Sequence, residues 1–130
     1  LRAYLSEIGA QPNEWRLQDG SGLSRNALVT PRLLTRALTS MAKSRDKEIW
    51  ISLLPAGGED GTLSHRLCCV GDGFGIRAKT GSLSRALALS GYAESTANGQ
   101  LAFSILVNDF SGSPSAVRQW IDKIALALLE

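Results

Sequence analysis

Histidine and cysteine are scarce in this sequence, and their scarcity narrows the possible chemistry. His65 is the only histidine and stands beside Arg66 in a polar run, so a Ser-His-Asp triad has little support. The two cysteines, Cys68 and Cys69, are adjacent. Adjacent cysteines rarely have the geometry for a mutual disulfide, and their spacing does not resemble a zinc site. We therefore expect both to be small buried apolar side chains.

Long apolar runs and basic runs are also missing. No segment approaches the roughly 18–20 apolar residues of a membrane-spanning helix. The net charge of +2 over 130 residues comes without a Lys/Arg cluster, which argues against nucleic acid as a partner. The N-terminus has neither an initiator Met nor a signal-peptide layout. We therefore expect a single domain whose chain begins within a longer protein.

The first part of the sequence predicts two helices. Residues 1–9 have apolar side chains at helical spacing, followed by Gly9 as a stop signal. Thr30 and Pro31 are a typical N-cap and first helical residue, and the apolar stripe after them predicts a helix to about Ser44.

The glycine-rich stretch that follows is harder to interpret. Thr62 is a candidate cap for a short helix running through Cys69. The run Gly71-Asp72-Gly73-Phe74-Gly75 has the spacing G-x-G-x-G, which is not the G-x-G-x-x-G of a nucleotide-binding loop. We expect a turn that leads into a strand.

The second half changes to a β pattern. It predicts three strands, over residues 75–83, 86–94 and 101–109. Asn98-Gly99 is a strong hairpin signal between the last two strands. The short link Ser84-Arg85 joins the first two, so an antiparallel sheet is expected.

A final helix is predicted from Ser113-Pro114 to Leu129. Its predicted apolar face, which should pack on the sheet, comprises Val117, Trp120, Ile121, Ile124 and Leu128. Four polar residues are expected to face away: Arg118, Gln119, Asp122 and Lys123.

Two short motifs carry the chemistry. Lys79-Thr80-Gly81 lies inside the first predicted strand. It offers a cation, a hydroxyl and a position without a side chain, a combination that suits a strand edge binding an anionic, peptide-like ligand. Ser24-Arg25-Asn26 ends a turn-rich loop, residues 18–26. Either tripeptide alone is a weak signal, whereas the pair is informative.

Together the motifs resemble S-x-N and K-T-G, two of the three signatures of penicillin-recognising serine enzymes, the third being S-x-x-K. The surrounding runs Asp19-Gly20-Ser21-Gly22-Leu23-Ser24, Asp60-Gly61-Thr62-Leu63 and Arg77-Ala78-Lys79-Thr80-Gly81-Ser82-Leu83 look like class C low-molecular-mass penicillin-binding proteins. These are the D-alanyl-D-alanine carboxypeptidase/endopeptidases of the penicillin-binding protein 4 type.

The resemblance implies an α/β (α+β) fold, an antiparallel sheet with helices on both faces. Residues 1–130 would be the C-terminal portion of one penicillin-binding, transpeptidase-like domain. The S-x-x-K nucleophile would lie upstream, so we expect these residues alone to be inactive. Ser40-Met41-Ala42-Lys43 and Ser44-Arg45-Asp46-Lys47 also fit S-x-x-K, but they follow S-x-N, the wrong order for the family.

The resemblance also implies roles for individual residues. Lys79 would be the second cation that depresses the pKa of the upstream lysine, Ser24 would relay a proton, and Asn26 would hydrogen-bond the substrate. Thr80 would bind the substrate carboxylate with Lys79. Gly81 would let the peptide lie along the strand, and the Ser82 N–H would be an oxyanion donor.

The family's reaction needs no metal and no cofactor. The implied partners are the upstream segment, peptidoglycan peptides as substrate and β-lactams as covalent inhibitors, and the implied location is the periplasm or cell envelope. Two other functions stay open: a serine β-lactamase, and a non-catalytic peptidoglycan-binding module that keeps the cleft without the chemistry.

Overall fold

The computed structural model describes residues 1–68 and 75–130. Within these residues the helices and strands, in chain order, are α1 (Arg2–Glu7), β1 (Trp15–Arg16), β2 (Leu28–Val29), α2 (Pro31–Ala42), α3 (Lys47–Ser52), β3 (Ile76–Leu83), β4 (Ala86–Ser95), β5 (Gly99–Asn108) and α4 (Pro114–Leu126). Short 3-10 turns cover Gly61–Leu63 and Ala127–Leu129. None of the helices in this part of the chain is long and apolar enough to cross a membrane.

Helix α2 begins as its capping signal predicts. The Oγ1 of Thr30 accepts a hydrogen bond from the Leu33 N–H at 3.2 Å, and Pro31 occupies the first helical position. The helix ends at Ala42, with Lys43 as its C-terminal cap. Helix α4 begins with the same N-cap and proline arrangement: the Oγ of Ser113 accepts a hydrogen bond from the Ala116 N–H at 3.1 Å.

Strands β3, β4 and β5 form an antiparallel sheet in sequence order, which confirms the predicted strands. The register aligns Lys79 with Ser90 and Ser90 with Ser104. Both connections contain a residue in the left-handed conformation, Gly99 at φ 69° and Arg85 at φ 59°. The Asn98-Gly99 hairpin is therefore confirmed.

One face of the sheet is covered by α4. Ile121 and Ala125 are buried there against Leu89 and Phe103. The helix packs on the sheet as predicted, but its predicted apolar face is partly wrong, because Trp120 is 65% exposed. Ile124 is also exposed.

The stripe that α4 and the following 3-10 turn pack on the sheet has a four-residue spacing, with Val117 partly buried and Ile121, Ala125 and Leu129 buried. Ala125 belongs to this buried stripe although it is small, whereas the larger Trp120 and Ile124 lie outside it. Asp122, predicted to face away, is half-buried because it pairs with Arg66, with N–O distances of 2.6 and 3.1 Å.

The opposite face is covered by α2 and α3. Leu38, Ile51 and Leu54 form a second core there with Tyr92, whose side chain is completely buried. The Tyr92 hydroxyl donates to the Leu38 carbonyl oxygen at 2.7 Å and accepts from Trp50 Nε1 at 3.0 Å. Helices on both faces of an antiparallel sheet confirm the predicted fold class.

Two predictions between α3 and β3 are wrong. The helix predicted to start at Thr62 is a single 3-10 turn, because the Gly58 N–H bonds the Arg66 carbonyl at 2.8 Å and folds the segment into a closed loop. Cys68 is exposed, not buried, since the core beneath this loop is filled by Leu63 and Leu67. Cys69 and the predicted turn over residues 71–74 lie outside the described residues.

Candidate functional site

Strand β3 forms one edge of the sheet, and only its first half is covered. The Ala78 N–H donates to the Pro55 carbonyl at 3.0 Å, and the Gly57 N–H donates to the Ile76 carbonyl at 2.9 Å. Because backbone groups alternate along an antiparallel strand, the N–H and C=O of Thr80 and Ser82 point toward this same outer edge. In residues 1–68 and 75–130, no segment pairs with β3 there beyond Ala78.

The side chains of this open stretch divide between the two faces. Lys79 and Gly81 lie on the face covered by α2, and Thr80 and Ser82 on the face covered by α4. The Lys79 side chain is exposed, and its Nζ donates to the Thr80 carbonyl oxygen at 2.7 Å. The ammonium thus lies beside the outer edge of the strand.

A large cavity of about 610 Å³ opens on the Lys79 side, between the sheet and α2. Its walls are mostly apolar and include Leu34, Leu38, Met41 and Leu54, with Lys79 at the strand. We call it the α2-side cavity. An apolar cavity that contains a cation fits a ligand or segment with an apolar body and a polar tip.

A smaller cavity of about 410 Å³ opens on the other side of the same strand, toward α4. Its polar walls come from Thr62, Thr80 and Ser82, together with Arg66 and Arg118. The Thr80 hydroxyl donates to the Thr62 Oγ1 at 3.0 Å. We call it the α4-side cavity.

The loop over residues 18–26 is shaped by its own polar side chains. Asp19 Oδ1 accepts from the Ser21 hydroxyl at 2.6 Å and the Ser21 N–H at 2.9 Å, and these hydrogen bonds lower the pKa of the Asp19 carboxyl. The Ser24 Oγ accepts from the Asn26 N–H at 3.2 Å. Such side-chain-to-backbone bonds replace the ladder bonds that a loop lacks.

One contact fixes where this loop lies. Arg25 Nη2 donates to the Ser84 carbonyl oxygen at 2.9 Å, so the loop sits next to the turn between β3 and β4. The structure therefore brings the loop to the C-terminal end of the Lys79–Ser82 edge. Neither Ser24 nor Asn26 lines the α2-side or α4-side cavity, and the side chains of both are without a hydrogen bond to Lys79 in the described part of the chain.

The first S-x-x-K-like pair, Ser40 and Lys43, lies away from this edge. Ser40 and Lys43 line a shallow groove on the outer side of α2, with Glu7 and Thr39. The inner side of that helix, with Leu38 and Met41, faces the α2-side cavity. The Ser44 hydroxyl is bonded to the Met41 carbonyl at 2.8 Å.

Sequence reasoning missed Arg118 at the α4-side cavity. It assigned Arg118 to the solvent side of α4, because a broad apolar face was expected there. Thr62 belongs to the run Asp60-Gly61-Thr62-Leu63 that the resemblance had identified, but its hydrogen bond with Thr80 was not predicted. His65 is exposed. Among the described residues there is no group of His, Cys, Asp and Glu that could hold a metal ion.

An antiparallel sheet with helices on both faces, a Lys-Thr-Gly strand with an open edge, and an S-x-N-like loop beside the end of that strand match what is expected of the penicillin-recognising serine enzymes. The chain belongs to the D-Ala-D-Ala carboxypeptidase 3 (S13) family, whose sequence profile matches residues 1–128. This confirms the resemblance seen in the motifs.

Individual relatives agree with this assignment. A D-alanyl-D-alanine carboxypeptidase from an Actinomadura strain is 39% identical over 132 residues, which cover 97% of this chain and 24% of the relative. The D-alanyl-D-alanine carboxypeptidase DacB of Haemophilus influenzae is 33% identical over 113 residues, covering 85% of this chain and 24% of that protein. The chain thus spans about a quarter of the length of these curated relatives.

Solved structures give the same answer. The crystal structure of penicillin-binding protein 4 from Haemophilus influenzae superposes with a TM-score of 0.81 at 28% identity, covering 99% of this chain and 30% of that one. The structure of the same enzyme complexed with a β-lactam superposes with a TM-score of 0.79 at 30% identity. The superposition covers 98% of this chain and 30% of that one.

Proposed function

We propose that the protein to which these residues belong is a serine-type D-Ala-D-Ala carboxypeptidase/endopeptidase. It acts on peptidoglycan stem peptides through an acyl-serine intermediate and is inhibited by β-lactams. The observation that carries the proposal is the open outer edge of β3, with Lys79, Thr80, Gly81 and Ser82 beyond the point where Pro55–Gly57 covers it. Residues 1–130 are the C-terminal portion of its catalytic domain.

The proposed reaction is acyl transfer in two steps. A serine hydroxyl attacks the carbonyl carbon between two D-alanines, its proton passes to a lysine, and the terminal D-alanine leaves after its nitrogen is protonated. Water then attacks the acyl-serine ester and restores the hydroxyl. In our proposal that serine and lysine belong to an S-x-x-K segment outside these 130 residues, which packs beside Lys79 at the α2-side cavity.

The β3 edge supplies binding and charge. A peptide laid along it as an extra strand would bond the outward N–H and C=O groups of Thr80 and Ser82. The Ser82 N–H is one oxyanion donor, and the Lys79 ammonium is the cation that lowers the pKa of the nucleophile's lysine. A Cβ at Gly81 would lie 3.2 Å from the Ala88 Cβ, so glycine also keeps β3 close to β4.

Ser24 and Asn26 enter the proposal through the Arg25 contact, which brings their loop to the end of β3. In the proposed cleft Ser24 relays the proton between leaving group and lysine, and Asn26 hydrogen-bonds the substrate's amide carbonyl.

Labelling the full-length protein with a fluorescent penicillin, together with D-alanine release from a stem pentapeptide, tests the function. We expect a stable covalent label and D-alanine release in the wild type, and a loss of at least about 100-fold in acylation rate for Lys79→Ala. Lys43→Ala removes an exposed lysine of an S-x-x-K-like motif and should leave both readouts unchanged. A saturating dose that leaves no label would refute the proposal, and rapid β-lactam turnover would reassign the protein to the β-lactamases.

The family and the proposed substrate also imply a place of action. Peptidoglycan lies outside the cytoplasmic membrane, so we propose a periplasmic or cell-envelope location. Fractionation of cells expressing the full-length protein, with the penicillin label as readout, would test it. Label confined to the cytoplasmic fraction would contradict it.

A further inference from the structure

The α4-side cavity contains a cation that the proposed reaction has not used. Arg118 lines this cavity opposite Thr80 and Ser82, and its side chain is half-buried. Arg66, the other guanidinium there, is held by the carboxylate of Asp122 at 2.6 and 3.1 Å. Among the described residues Arg118 has no hydrogen-bond or ion-pair partner.

The charge of the cavity wall is therefore positive. Asp122, which does not line the cavity, neutralises Arg66, and none of the described residues that line the cavity is an Asp or a Glu. A half-buried guanidinium without a partner binds an anion more favourably than an exposed one does, because less water must be displaced and the local dielectric constant is lower.

The hydroxyls beside it suit a carboxylate. The Thr80 hydroxyl gives its hydrogen to Thr62, which leaves the Thr62 hydroxyl hydrogen available to a ligand in the cavity. Ser82 contributes a further hydroxyl on the same face. A carboxylate accepts several such donors at once and pairs with arginine in a planar, two-bond geometry.

Lys79 is poorly placed for this task. Its side chain leaves β3 on the opposite face, toward α2, and its Nζ is bonded to the Thr80 carbonyl. A carboxylate turned toward the α4 face of the strand meets Arg118 before it meets Lys79.

We propose that Arg118 is a specificity-determining residue that recognises the free C-terminal carboxylate of a peptide lying along the β3 edge. The proposal rests on the proposed function and adds a division of labour to it. Lys79 serves the chemistry on one face of the strand, and Arg118 binds the carboxylate on the other face together with the hydroxyls of Thr62 and Ser82.

The test compares two substrates in the full-length protein, a D-Ala-D-Ala peptide with a free C-terminal carboxylate and the same peptide ending in a carboxamide. We expect Arg118→Gln to lower kcat/KM for the carboxylate substrate about tenfold, mainly through KM, and to leave the carboxamide substrate nearly unchanged. Arg118→Lys should retain part of the preference. Lys123→Ala removes an exposed charge from the same helix outside the cavity and should behave as the wild type.

Each other outcome is decisive. If Arg118→Gln keeps the full carboxylate preference, or if Lys123→Ala loses it equally, the inference is wrong while the proposed function stands. If the wild type releases no D-alanine and takes no penicillin label, the proposed function fails and the inference with it. Thermal denaturation of each variant separates loss of carboxylate recognition from loss of folding. If Arg118→Gln does not fold, the carboxylate preference of Arg118→Lys is compared with that of the wild type instead.

Discussion

Arg25 and Ser84 are 59 positions apart in sequence, yet the Arg25 guanidinium donates to the Ser84 carbonyl oxygen at 2.9 Å. The loop over residues 18–26 therefore contacts the turn after β3. Ser82, the proposed oxyanion donor, lies two residues before the carbonyl that Arg25 holds. Removing this contact should therefore alter the position of the proposed site residues while leaving their side chains unchanged.

Arg25→Ala should slow acylation by a β-lactam in the full-length protein about tenfold, because the end of β3 loses a fixed partner and reacting groups are sensitive to small misplacements. The cost in stability should be below about 1 kcal/mol, since the contact is exposed. Stopped-flow penicillin labelling and thermal denaturation measure the two effects.

Arg45→Ala is the matched control. Arg45 is almost fully exposed, and its guanidinium comes only within 4.0 Å of Asp46, so we expect wild-type acylation. Equal slowing in both variants would mean that positive charge, and not the contact with Ser84, is responsible.

Ser24→Ala and Asn26→Ala test the S-x-N assignment directly. If Ser24 relays a proton and Asn26 binds the substrate, each variant should acylate about 100-fold more slowly. Near-normal acylation would contradict that assignment. It would place the S-x-N role outside these residues and leave Ser24 as the turn former that its bond to the Asn26 N–H indicates.

The sequence predicted the sheet well because its signals are local. The Asn98-Gly99 turn, the Thr30-Pro31 start and the strand alternation each depend on residues within a few positions of one another. The K-T-G edge followed from a motif of this kind. Its open side did not, because that depends on where the distant segment Pro55–Gly57 ends its pairing with β3.

The errors arose where a distant partner decides which face is buried. Asp122 turns inward because Arg66 pairs with it from another segment, and Ala125 is buried in the core that the helix shares with the sheet. Hydrophobic periodicity favours burial of the large apolar Trp120 and Ile124 over burial of Ala125, so it placed the apolar face of α4 partly on the wrong side of the helix. Arg118 was assigned to the solvent side for the same reason.

Tyr92→Phe should destabilise the protein by about 1–3 kcal/mol, because it leaves the buried Leu38 carbonyl and the Trp50 Nε1–H without their common partner. The hydroxyl links α2, α3 and β4 in the second core. Equilibrium unfolding in denaturant, followed by tryptophan fluorescence, measures the change. Tyr4→Phe is the control: its hydroxyl makes one partly buried bond of 3.3 Å, so the loss should be smaller.

Tyr92 should also set an alkaline limit to stability. Burial raises the pKa of its phenol above the usual value of about 10, although the Trp50 hydrogen bond acts in the opposite direction. A raised pKa means that folding favours the neutral phenol, so this contribution is fully present below about pH 10 and is lost as the pH rises through the folded-state pKa. Melting temperatures between pH 8 and about 11 should fall more steeply in the wild type than in Tyr92→Phe, and parallel curves would contradict this.

Gly91→Ala, which adds one methyl group, should strongly destabilise the sheet. Gly91 pairs with Ala78 across β3 and β4, and a Cβ there would lie 2.5 Å from the Ala78 Cα and overlap the Arg77 carbonyl oxygen. Both neighbours are backbone atoms, so β3 must move away from β4, and with it the edge that carries Lys79. We expect a loss of about 3 kcal/mol in unfolding experiments. Gly20→Ala has open space at its Cβ and should change stability by less than about 0.5 kcal/mol; equal stability of the two variants would show that β3 shifts freely.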